Sequence, residues 1–136
     1  MRTLPLVLLL GLAACDAVET FPPEPGVALE GVSLATDRDS YNNRSTVGLT
    51  LRNGGEDRIE TGGLGCARLE RRNSSGWSRR DFFPRVCLDI LLSLSPGNQF
   101  EVDIELGLVG GVPGGTYRFV QRTSVGDVAT PSFEVR

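Results

Sequence analysis

The sequence contains no histidine and no lysine, and its single methionine is Met1. All 14 basic residues are therefore arginines. These absences remove whole classes of chemistry. There is no imidazole metal ligand, no Ser–His or Cys–His pair, no Ser–Lys dyad and no Schiff-base lysine. Aromatics are also scarce, at 7% with one tryptophan, and there are only three cysteines. No enzyme activity, cofactor or metal is expected from such an inventory. What is abundant is glycine (17) and proline (8), which favour many turns over long helices. A length of 136 residues with 40% hydrophobic content suits one domain built around one core.

The N-terminus carries an export signature. Arg2 is followed by an apolar stretch from Leu4 to Leu12, broken only by Pro5 and Gly11. That length fits the hydrophobic part of a signal peptide and falls short of the roughly 20 residues a spanning helix needs. The stretch ends in Leu12-Ala13-Ala14-Cys15, which resembles the bacterial lipobox. The resemblance implies removal of residues 1–14 and acylation of Cys15, which becomes a lipid anchor. Two or three acyl chains hold a protein on a bilayer durably. Asp16 follows, a residue that in enteric bacteria retains lipoproteins at the inner membrane; here inner and outer membranes remain alternatives. Residues 15–26 contain Asp16, Glu19 and Glu24 together with Pro22, Pro23 and Pro25, and read as an extended tether. The folded domain is expected over 27–136. Removing 14 of 136 residues leaves 122, and losing Arg2 leaves 13 arginines against 17 acidic residues. That balance argues against a nucleic-acid partner, and a monomer is expected.

With Cys15 acylated, Cys66 and Cys87 remain. An even pair in an oxidising compartment makes a disulfide the default. Around Cys66, Ala67 and Leu69 take one strand face and the sulfur the other. Around Cys87, Val86, Leu88 and Ile90 share a face that the sulfur avoids. Both thiols are thus expected away from the core, where they can meet.

The remainder alternates with a period of two. Val47, Leu49 and Leu51 interleave with Thr46, Gly48, Thr50 and Arg52, and Phe100, Val102, Ile104 and Leu106 with Glu101, Asp103 and Glu105. This pattern marks half-buried strands. Val27 and Leu29 change phase to Val32 and Leu34 across Gly31, which predicts a bulge. Further strands are expected at 58–61, 66–71, 77–82, 86–92, 116–124 and 131–135, separated by Asn-, Pro- and Gly-rich turns. Seven to nine short antiparallel strands predict an all-β sandwich.

Several segments in order carry a resemblance: Leu49-Thr50-Leu51-Arg52-Asn53-Gly54-Gly55, then Cys66, Leu69-Glu70-Arg71, Gly76-Trp77 and Val86-Cys87. Leu94-Ser95-Pro96-Gly97 and Pro113-Gly114-Gly115-Thr116-Tyr117-Arg118-Phe119 complete it. Together they resemble small bacterial immunoglobulin-like domains carried by exported lipoproteins, and in skeleton the BsuPI-type proteinase inhibitor domain. The resemblance implies an immunoglobulin-like β-sandwich. Pro96-Gly97 suits a type II turn, the Asn53 amide can bond local backbone, and Tyr117 is placed for a tyrosine corner. Trp77 and Phe119 are expected as core aromatics.

Between the two later cysteines lie Arg68, Arg71, Arg72, Arg79, Arg80 and Arg85, against Glu70 and Asp81. Planar guanidinium groups recognise carboxylate and phosphate, so these residues are candidates for an acidic glycan, a lipid headgroup or an acidic partner; the competing reading is a solvated hairpin. Glu101, Asp103 and Glu105 read as a wet strand face. The functional expectation is an exported, lipid-anchored envelope module, facing periplasm or cell surface, that binds a protein or glycan. Proteinase inhibition and a structural envelope role are the alternatives.

Overall fold

The computed structural model describes residues 18–80, 90–107 and 111–136. Cys15, Arg85 and Cys87 lie outside these residues, as do the expected strand positions 86–89.

Two sheets face each other. The smaller has three strands, β1 (Val32–Thr36), β3 (Thr46–Asn53) and β8 (Gln99–Glu105), in the order β1-β3-β8. The larger contains β2 (Ser40–Tyr41), β4 (Ile59–Gly62), β5 (Arg68–Asn73), β6 (Gly76–Arg79), β7 (Leu91–Leu94), β9 (Gly115–Thr123), β10 (Gly126–Ala129) and β11 (Phe133–Val135). The all-β sandwich expected from the alternation, of the immunoglobulin-like kind that the resemblance implies, is what forms. Eleven strands are present among the described residues rather than seven to nine. The additions include the two-residue β2 and the four-residue β10, both too short to show a period. One pair is not antiparallel: β11 runs parallel to β2, with Glu134 opposite Ser40. The connection is long enough because these strands lie far apart along the chain.

β9 organises the larger sheet. Tyr117 to Val120 pair with Arg68 to Arg71 of β5, and Val120 to Thr123 pair with β10. Tyr117, Phe119, Gln121 and Thr123 point inward, while Arg118 and Arg122 point outward. The interior receives Val32, Leu34, Val47, Leu49, Leu51 and Ile104 from the smaller sheet, all buried. Across from them lie Tyr41, Ile59, Leu69, Leu94, Tyr117, Phe119 and Phe133. Phe133 is a hub, edge-on to Tyr41 at 5.4 Å and stacked with Phe119 at 5.6 Å and Tyr117 at 6.2 Å. Burying each such side chain contributes about 1.5–3 kcal/mol.

The turns follow the sequence closely, with one correction. Glu30 and Gly31 have φ of 50° and 80°, and Leu29 and Val32 exchange backbone hydrogen bonds of 3.0 and 2.8 Å. The phase change at Gly31 is therefore a two-residue hairpin turn and not a bulge. A Cβ on Gly31 would meet the Gly55 nitrogen at 2.7 Å. Ser95-Pro96-Gly97-Asn98 closes as a type II turn, with Gly97 at φ 80° and Asn98 N–H donating to Ser95 O at 3.1 Å. Asn53 donates through Nδ2 to Asp57 O (2.8 Å) and Leu94 O (3.0 Å), tying the end of β3 to β7. Tyr117 donates its hydroxyl to Pro113 O at 2.6 Å, completing the tyrosine corner.

Candidate functional site

Because Leu69 and Phe119 face the core opposite each other, Glu70 and its register partner Arg118 must face outward. β6 extends the same face: Arg72 pairs with Trp77, and Glu70 with Arg79. Trp77 is therefore only half-buried and belongs to the outer surface, which corrects its assignment to the core. Phe119 is fully buried, as expected.

On this outer face charges of alternating sign are joined edge to edge. Arg122 Nε lies 3.7 Å from Asp127 Oδ1, and Asp127 Oδ2 lies 3.5 Å from Arg68 Nη2. Arg68 donates through Nε to Glu70 Oε1 at 3.0 Å, and Arg118 donates through Nε to Glu70 Oε2 at 2.7 Å. Glu70 is 8% exposed, a position a carboxylate tolerates because each oxygen meets a guanidinium. Arg118 Cζ then sits 4.4 Å from the Trp77 ring centroid, and Arg72 Cζ 5.8 Å from it, both within cation–π range.

The array closes on the N-terminal segment. Trp77 donates its indole Nε1–H to Glu24 Oε2 at 3.0 Å, and Arg72 Nε lies 3.0 Å from Glu24 Oε1. Glu24 N–H donates to Ser132 Oγ at 2.7 Å, and Ser132 N–H returns to Glu24 O at 2.9 Å. Arg72 Cζ also lies 5.5 Å from the Phe21 ring centroid. Within the stretch expected as a tether, the part around Glu24 is thus bonded to the sandwich. Val27 continues the attachment through paired backbone bonds with Ala129 of 2.9 and 3.0 Å.

The six candidate arginines are not gathered into one site. Arg68 and Arg72 belong to the outer face. Arg71 lies on the opposite face of β5, donating through Nη2 to Gly114 O at 2.8 Å with its guanidinium 5.9 Å from the Tyr117 ring. Arg80 is exposed and its backbone N–H bonds Leu69 O at 2.7 Å. Burial pushes the Tyr117 phenol above its ordinary range, and the positive charges of Arg71 and Arg80 partly offset this. Arg79 is exposed on β6, and Arg85 lies outside the described residues. Sequence reasoning missed Glu24, Arg118 and Asp127 as members of the array. Alternation around Tyr117 and Phe119 signals that Arg118 faces outward. Its partnership with Glu70, 48 positions away, needs the β5–β9 pairing.

Cys66 ends a 3₁₀ turn, Leu64–Cys66, just before β5, so the strand-face argument does not apply to it. Among the described residues no group of histidine, cysteine, aspartate and glutamate could hold a metal ion. Glu101, Asp103 and Glu105 are exposed along β8, the wet face expected of them. A family model described as a bacterial Ig-like domain matches residues 28–134. No curated protein matches the chain.

Proposed function

Because this chain belongs to the bacterial Ig-like domain family, we propose that it is a non-enzymatic cell-envelope module that binds an acidic protein or glycan. The single observation that supports binding is the outward array of Arg68, Arg72, Arg118 and Trp77. Guanidinium groups held within cation–π range of an indole, on a sheet face, present positioned donors for carboxylate at low entropic cost. The chain is held to the membrane, in this reading, by acyl groups on Cys15, after removal of residues 1–14. The supports are the short apolar stretch and the Leu12-Ala13-Ala14-Cys15 sequence. A Cys66–Cys87 disulfide belongs to the same proposal, supported by the even pair left once Cys15 is acylated and by the oxidising compartment that export implies.

The binding role is tested by using the detergent-solubilised chain as bait for envelope extract and for immobilised acidic polysaccharide. A stoichiometric partner that is lost from a Trp77→Ala, Arg72→Ala variant is the expected result; equal capture by both proteins would remove the array from the function. Radiolabelled palmitate incorporation, abolished by Cys15→Ser, tests the anchor. Non-reducing mass spectrometry tests the disulfide.

A further inference from the structure

Residues 21–25, Phe21-Pro22-Pro23-Glu24-Pro25, lie on the outer face as a bound peptide would. Phe21, Pro22 and Glu24 each precede a proline, which biases all three toward extended backbone, so the segment loses little freedom on docking. The donors that meet Glu24 suit a carboxylate. Trp77 Nε1–H and Arg72 take the two oxygens of Glu24, Ser132 pairs with its backbone, and the Arg72 guanidinium covers the Phe21 ring.

The fit is incomplete in two respects. Arg72 Nε is shielded from solvent yet, among the described residues, has no acceptor aligned for a hydrogen bond, although Glu24 Oε1 is 3.0 Å away. Beside the segment run two half-open grooves of about 240 and 220 Å³. One is bordered by Val18 and Thr20 and the other by Phe21 and Pro23, with β11 beneath both. The Glu24 side chain is itself 37% exposed, so a competing carboxylate can reach its donors.

We propose that Arg72, Trp77 and Arg118 form a receptor site for an extended, proline-flanked acidic peptide segment, which residues 21–25 of this chain fill in cis as a displaceable resident. This deepens the binding role proposed above and rests on it. Arg72 and Trp77 hold the carboxylate; Arg118 is a positioning residue that keeps the indole in place while Glu70 fixes Arg118 itself. A partner segment gains the site by replacing Glu24 with a carboxylate that aligns with Arg72 Nε.

The test uses Trp77, the only tryptophan, as its own reporter. The probe is the synthetic peptide Thr-Phe-Pro-Pro-Glu-Pro-Gly-Val, acetylated and amidated, titrated into the detergent-solubilised chain; the control peptide carries Gln in place of Glu. In a Phe21→Ala, Glu24→Ala variant the emission of Trp77 is expected to shift to the red and return on peptide addition. The variant should bind the peptide about tenfold more tightly than the wild type, whose site is occupied at high local concentration. The Gln peptide should bind about tenfold more weakly than the Glu peptide. Glu24→Gln, which keeps the backbone bonds to Ser132, serves where the double variant unfolds and should show the same order of affinities. Equal affinity of wild type and variants, equal affinity of the two peptides, or no emission change would overturn the proposal. Dimerisation of the wild type that Glu24→Gln abolishes would also overturn it, by placing the segment of a second copy in the site. The peptide titration and the envelope capture read different events, so a failure of one is distinguishable from a failure of the other.

Discussion

Tyr41 donates its hydroxyl to Asp37 Oδ1 at 2.6 Å, and the same oxygen accepts Gly48 N–H at 2.8 Å, so one carboxylate clamps the β1–β2 connection to β3. The Tyr41 hydroxyl in turn accepts Arg38 N–H at 2.9 Å. Hydrogen bonding from Tyr41, first, holds the Asp37 carboxyl below the usual carboxylate range. Burial, followed by the bond to Asp37, pushes the Tyr41 phenol up to about 12.

These opposite shifts predict loss of stability at both ends of the pH scale. The lowered Asp37 value contributes stability above the unfolded value of about 3.9, lost as pH falls through the folded value. The raised Tyr41 value contributes stability below about 10, lost as pH rises through the folded value. Urea unfolding across pH 2–5 and pH 9–12 checks both limbs, with absorbance at 295 nm following the tyrosines. Tyr41→Phe should flatten both limbs and cost about 1–2 kcal/mol at neutral pH.

Tyr117→Phe keeps the buried ring but removes the bond to Pro113 O. The expected cost is about 1–1.5 kcal/mol, read as a lower urea midpoint with an unchanged slope. An unchanged midpoint would show that the corner is held by other contacts.

Phe133→Ala removes the ring on which Tyr41, Tyr117 and Phe119 converge. A loss of about 3–5 kcal/mol is expected. Against a typical total of about 5–15 kcal/mol, that brings the domain close to unfolding at 37 °C, which calorimetry would register.

Glu70→Ala leaves the guanidinium groups of Arg68 and Arg118 without their shared carboxylate. The expected destabilisation is about 2–3 kcal/mol. Arg118 also loses the contact that positions it over Trp77, so Trp77 emission should change together with stability. An unperturbed emission spectrum would show that Arg118 is held independently of Glu70.

Much of this is legible in the sequence itself. The alternation at Val47–Leu51 and Phe100–Ile104 marked strands whose register places these residues opposite one another. Pro96-Gly97, Asn53 and Tyr117 announced local hydrogen bonds that do form, because their partners lie only a few residues away, although Asn53 also reaches Leu94 across 41 positions. Other positions were misread where local pattern is silent. Trp77 looked like a core aromatic because size alone favours burial, while its face is set by pairing with Arg72. Cys66 looked like a strand residue because apolar neighbours follow it, but a 3₁₀ turn precedes β5.

Composition and period determined the chemistry this chain lacks, the sandwich class and most strand positions, since absent side chains and a two-residue repeat are properties of the chain itself. Tertiary structure alone decided which distant polar groups meet. Glu24 reaches Trp77 across 53 positions and Arg118 reaches Glu70 across 48. Such pairs exist only once strand order and register bring distant segments within hydrogen-bonding distance, and neither is encoded in any local stretch of sequence.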